Sequence, residues 1–106
     1  ARLIFPEDIR RGRWKKMLSG VKRSVYVSVD IDVLDIGIMP AVTNPEPGGL
    51  SWHEFSDILA ALLRRRTFLA GDLVELCPPA GPAYAAITAA RALVRLIALA
   101  EKSRLG

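Results

Sequence analysis

Four carboxylates stand where two strand-like segments end. Asp30, Asp32 and Asp35 follow the run Ser24–Val29 (SVYVSV), and Glu75 lies near the end of Leu69–Leu76 (LAGDLVEL). Residues two apart in extended chain point to the same side, which sets Asp30 and Asp32 roughly 6–7 Å apart. A cation between them offsets their repulsion, and carboxylate oxygens suit hard or borderline divalent ions such as Mg²⁺ or Mn²⁺. A D-x-D spacing is common, and Asp also favours loop starts, so spacing alone leaves metal binding and a plain turn both open. Glu75 closes the neighbouring strand and is placed to face the same crevice. The other chemical groups are few. The single histidine, His53, stands at a helix start and reads as a surface residue, and it excludes a His-rich metal site built from these residues alone. The single cysteine, Cys77, excludes an intrachain disulfide and a cysteine zinc cluster, and reads as a small buried hydrophobe.

These carboxylates need elements to hold them. Pro6 at a first helical position, with Glu7 and Asp8 behind it, predicts a helix over residues 6–18, in which Trp14, Met17 and Leu18 share a face and Gly12 is the weak point. Ser24–Val29 is β-branched and aromatic almost without polar alternation, as in a strand covered on both faces. A long loop follows, carrying Pro40, Pro45, Pro47, Gly48 and Gly49. Ser51 and Glu54 then form a capping box, with Leu50 and Phe55 as its hydrophobic staple. Phe55, Ile58, Leu59, Leu62 and Leu63 make one apolar stripe, and Arg64, Arg65 and Arg66 close that helix. Leu69–Leu76 is the second strand, stopped by Pro78 and Pro79. The last helix runs from about residue 82 to 102, with Ile87, Ala90, Val94, Ile97 and Ala98 as its expected buried face. Two strands joined by a helix form a right-handed parallel unit. Both strand ends, with the carboxylates, then lie on the edge where open α/β sheets bind ligands.

Composition sets the bounds. The chain has 106 residues, is 51% hydrophobic and carries a formal charge of +4; its mean hydropathy is +0.25. That fits one small domain that buries roughly two-thirds of its unfolded surface, and it excludes a disordered tail. Charges interrupt the apolar stretches, so no transmembrane helix is expected, and the first residues show no apolar segment of a signal peptide, so a cytoplasmic location is expected. Residues 1–24 hold eight Lys/Arg against two acids, and residues 25–106 hold seven against nine. The basic run RRGRWKK has only Trp14 within it and reads as a solvated helix face. Nucleic-acid binding through Arg10, Arg11, Arg13, Lys15 and Lys16 is not expected, because neither a motif nor interleaved aromatics accompany them.

Taken in order, Ser28-Val29-Asp30-Ile31-Asp32-Val33-Leu34-Asp35, Pro45-Glu46-Pro47-Gly48-Gly49-Leu50 and Asp72-Leu73-Val74-Glu75-Leu76-Cys77-Pro78 resemble the C-terminal third of the ureohydrolase family, which includes arginases and agmatinases. The family pattern is a strand ending in S-x-D-x-D-x-x-D-P, a loop closing in P-E-P-G-G, a helix, and a strand carrying D-x-V-E-x-N-P. The resemblance spans nearly the whole chain. It implies an α-β-α-β-α fragment of a three-layer, parallel-sheet arginase-like fold, with residues 1–106 a single partial domain. It also implies roles. Asp30 bridges two Mn²⁺ ions, Asp32 ligates one of them, and Glu75 receives the planar guanidinium of a substrate such as agmatine or arginine. Water acidified by the ions then attacks the guanidinium carbon, and urea leaves. Asp35 orders the loop or supports a ligand.

The chain departs from the pattern at several points. The family's G-G-D-H and D-A-H-x-D segments, which add two His and two Asp ligands, are not among these residues. Ile36 stands where a Pro follows the third Asp, Ala41-Val42-Thr43-Asn44 replaces G-T-G-T, and Cys77 stands where the family has Asn. Only two of six metal ligands are therefore present, and the chain by itself is expected to be incompetent. Exposed strand edges further predict a homo-oligomer or a partner carrying the N-terminal part. The alternative expectation is a non-catalytic, self-associating or regulatory module derived from the family.

Overall fold

The structure is a computed structural model and describes residues 1–105. The order is α1 (Pro6–Arg10), α2 (Trp14–Met17), β1 (Ser24–Asp30), α3 (Trp52–Leu63), β2 (Thr67–Val74) and α4 (Ala83–Leu105). Strands β1 and β2 pair in parallel, Ser28 opposite Asp72 and Asp30 opposite Val74. The strands are parallel as expected, and both strand ends reach the same edge.

Three expectations need correction. The helix anticipated over residues 6–18 is two short helices, because Gly12 takes a left-handed φ of +70° that ends the first. Its aromatic anchor is nevertheless in place, since Trp14 and Leu18 are buried. Strand β1 alternates strictly rather than being covered on both faces. Val25, Val27 and Val29 point inward, while Ser24, Tyr26, Ser28 and Asp30 are exposed. The third correction concerns α4. Ile87, Val94 and Ile97 are exposed, as are Ala90 and Ala98, and the buried stripe is Ala85, Ala89, Ala92, Leu96 and Ala100. Small side chains let the helix lie close against the sheet and α3, and the bulky ones are left outside.

One core joins the inner valines of β1 to Phe55, Leu59 and Leu63 of α3 and to the alanine stripe of α4. The helices therefore cover the valine face of the sheet, whereas Tyr26 and Leu69 on the strands are 58% and 66% exposed. By length and composition α4 would pass for a membrane span, contrary to the expectation that charges exclude one. Its alanine stripe belongs to the core instead, and Arg91 and Arg95 interrupt it midway.

Helix α3 forms as its sequence dictates. The Ser51 hydroxyl accepts from the Glu54 N–H at 3.1 Å, and the Glu54 carboxylate accepts from the Ser51 N–H at 2.8 Å. Of the three closing arginines only Arg66 caps the helix. Its guanidinium donates to the carbonyls of Ala61 and Leu62 and also reaches Leu18, tying the N-terminal segment to α3. Ser51→Ala removes the cap that fixes the exit from the loop. It is expected to lower stability by about 1 kcal/mol, read as a fall in the urea-denaturation midpoint.

Candidate carboxylate site at the strand ends

Asp30 is the last residue of β1, and Ile31–Val33 immediately turn into a single 3-10 turn. The Asp30 carboxylate accepts from the Asp32 N–H at 3.4 Å and so caps that turn. Between the two aspartates, Ile31 is fully buried, and Leu34 is 1% exposed. Those two side chains anchor the segment in the core, which leaves Asp30 and Asp32 at the surface edge. Asp32 belongs to a turn rather than to extended chain, so the same-side spacing expected of residues two apart in a strand does not apply.

Asp32 senses the whole site. Loss of water around it pushes its carboxyl above the ordinary carboxylate value, and the hydrogen bond to Asp30 adds to that. The negative charges of Asp30, Glu75 and Glu46 push it further in the same direction. Asp30 and Asp32 stand at the end of β1 and Glu75 just past the end of the parallel β2, near enough for the charge of Glu75 to act on Asp32. The structure adds Glu46, which sequence reasoning quoted within Pro45-Glu46-Pro47 without giving it a task. A raised carboxyl favours the folded state while protonated, below the ordinary carboxylate range, and this contribution is lost as pH rises through the raised value. Asp32→Asn is therefore expected to raise the melting temperature of the metal-free chain at neutral pH. Melts recorded across the acid range should show the gain vanish below the ordinary carboxylate range.

Glu75 follows the last residue of β2 and is exposed, with a left-handed φ of +71°. A non-glycine residue held there costs on the order of 1–3 kcal/mol, and such strain gathers at functional positions. The surroundings impose it. Beyond Glu75, Leu76 pairs antiparallel with Val42, and the Cys77 N–H donates to the Ala41 carbonyl at 2.8 Å. Cys77 itself is half-buried rather than fully enclosed, because its segment runs along this surface bridge.

Asp35 is fully engaged in ordering the loop. Its carboxylate accepts from the N–H groups of Gly37 and Gly48, both at 2.8 Å. These donors hold the carboxyl below the usual range, so its stabilising contribution exists above that range and is lost as pH falls through the lowered value. Gly49 packs so closely that a Cβ there would lie 2.7 Å from the Asp35 nitrogen. Ile36, in the place of proline, donates its N–H to the Glu46 carbonyl at 3.2 Å, a bond proline cannot make. Ala41 and Val42 are buried in the core. The departures from the glycine-rich pattern are thus absorbed by packing. His53 is exposed on α3, as expected of a surface residue.

The donor set suits an oxygen-seeking divalent ion only in part. Among the described residues, no group of three or more His, Cys, Asp or Glu side chains is arranged to hold a metal by itself. Asp30 and Asp32 by themselves do not make a metal site.

Comparison with known proteins places this geometry. The arginase family model matches residues 2–99. The N(1)-aminopropylagmatine ureohydrolase of Thermus thermophilus is 39% identical over 84 residues, 79% of this chain and 28% of that protein. The agmatinase of Pyrococcus horikoshii is 33% identical over 99 residues, 93% of this chain and 35% of that one. Among solved structures, proclavaminate amidino hydrolase from Streptomyces clavuligerus aligns with a TM-score of 0.86 at 25% identity, over 97% of this chain and 36% of that chain. The agmatine ureohydrolase of Thermoplasma volcanium aligns at 0.76 with 31% identity, over 92% and 33%. The chain spans about a third of the length of the curated relatives it matches, and its fold is a fragment of theirs.

Proposed function

We propose that this chain, which belongs to the arginase family, supplies the C-terminal part of an agmatinase-like, manganese-dependent ureohydrolase active site. The observation that carries the reading is the position of Asp30 and Asp32 at the end of β1 and of Glu75 just past the end of β2, on the same edge of a parallel pair. Asp30 and Asp32 hold the metal from this side. When bound, the metal supplies the acidification of water that yields a nucleophile near neutral pH. Glu75 accepts the two N–H groups of a guanidinium edge, a planar pairing for which a carboxylate is suited. The four carboxylates concentrate negative charge on a chain whose net charge is +4, which draws a cationic substrate such as agmatine or arginine to this edge. The Gly48 N–H donates to the Asp35 carboxylate and the Ile36 N–H to the Glu46 carbonyl, which ties the loop that carries Glu46 to the segment that follows Asp32.

Two ligands bind Mn²⁺ weakly, so the chain by itself is inactive, and its activity requires the polypeptide that completes the fold. The exposed strand face and the exposed Ile87, Val94 and Ile97 of α4 support association with that polypeptide or with a second copy. The test is a calorimetric Mn²⁺ titration of the chain alone and of the chain joined to the N-terminal two-thirds of a related ureohydrolase, hereafter the completed protein. Binding at least tenfold tighter in the completed protein, and lost in the Asp30→Ala, Asp32→Ala double variant, supports the reading. Equal binding by the double variant would overturn it. The same exposed apolar surface favours a second reading, a self-associating module without catalysis. In that case the double variant would keep the native mass of the assembly, and the completed protein would release no urea.

A further inference from the structure

The outer face of the sheet carries a polar arrangement that the proposed chemistry does not use. The Ser28 hydroxyl donates to one oxygen of the Asp72 carboxylate at 2.6 Å, and the Tyr26 hydroxyl donates to the other. Ser28 and Asp72 are directly opposed across the two strands. Just before them the ladder is irregular: Val25 pairs with Phe68 but Tyr26 with Ala70, so Leu69 is skipped. A skipped residue is where a register can slip, and a slip of one residue turns every later side chain to the opposite face. Downstream of the irregularity stand Asp30, two residues after Ser28, and Glu75, three residues after Asp72.

We propose that Asp72 is a positioning residue, which locks β1 to β2 through Ser28 and Tyr26 and so holds Asp30 opposite Val74, with Glu75 the next residue along. The inference rests on the reading of Asp30 and Glu75 as parts of the site, but the clamp itself can be observed without metal or substrate. Neither Ser28 nor Tyr26 faces the core; on the inner face Phe68 and Leu73 of β2 pack partly buried against it, and Gly71 between them offers no side chain to fix the register. The pairing on the open face adds to that packing, on the side the core does not reach. Gly71 assists by close approach, since a Cβ there would lie 2.5 Å from the Val27 carbonyl oxygen.

Amide hydrogen exchange on the chain tests the clamp. Asp72→Ala is expected to speed exchange about tenfold at residues 28–32 and 72–76, with α3 unaffected. Asp72→Asn, which keeps an acceptor for Ser28, should recover most of the protection. In the completed protein, Asp72→Ala should lower kcat about 10–100-fold per folded molecule, and Asp72→Asn should restore most of it. Unchanged exchange at both segments in Asp72→Ala would overturn the proposal, and so would faster exchange spread evenly over the whole chain. A completed wild-type protein without urea release, combined with the expected exchange pattern, would overturn the functional reading and leave the clamp standing.

Discussion

Ile31→Ala lowers the stability of this chain by about 2–5 kcal/mol, the range for removing most of a buried aliphatic side chain. Ile31 is fully buried, and total stabilities of small domains are only about 5–15 kcal/mol. Much of the population should therefore be unfolded in mild denaturant, which a urea titration followed by circular dichroism will show. Ile31→Val should cost only about 0.5–1.5 kcal/mol. The effect reaches the site as well as the fold. Ile31 sits between Asp30 and Asp32 and is the inward anchor that keeps both at the edge. In the completed protein, Ile31→Val should therefore weaken Mn²⁺ binding more than an equally destabilising change in α4.

Asp30→Ala in the completed protein reduces urea release at least about a hundredfold. Loss of a supporting group behind a metal ligand already costs about 10–100-fold, and in the proposed site Asp30 would hold the metal directly. Asp30 also caps the turn that presents Asp32, so one substitution removes a ligand and loosens its neighbour. Steady-state urea formation at saturating Mn²⁺ measures this. A loss in kcat/KM that higher Mn²⁺ does not recover is the expected pattern. The isolated Asp30→Ala chain should remain folded, because Asp30 is exposed and its charge adds to the repulsion on Asp32.

Much of this was legible in the residues. The β1–α3–β2 unit follows from the valine-rich run, the Ser51–Glu54 capping box and the proline stop. The position of Asp30, Asp32 and Glu75 at one edge follows from parallel connection alone. What escaped has physical reasons. An apolar stripe read by bulk picks out Ile87, Val94 and Ile97, whereas close packing of α4 selects alanines and leaves those larger residues outside. The alternation of β1 was masked because its outer face carries Tyr26, a residue as favourable to strands as valine. The role of Glu46 depends on a long-range fold of the loop through Asp35, Gly48 and Gly49, which no local pattern encodes. The left-handed backbone at Glu75 arises from a bridge between Val42 and Leu76 that is distant in sequence.

These residues are proposed as one part of a guanidine-hydrolysing site. The most direct measurement is urea release from agmatine and arginine with Mn²⁺, by the chain alone, by the completed protein and by the completed protein with Glu75→Gln. The proposed site requires no release by the chain alone, turnover by the completed protein, and a loss of at least about tenfold with Glu75→Gln, because the neutral amide gives up the charge-assisted pairing to the guanidinium. A folded, Mn²⁺-loaded completed protein that releases no urea, or one indifferent to Glu75→Gln, would contradict it.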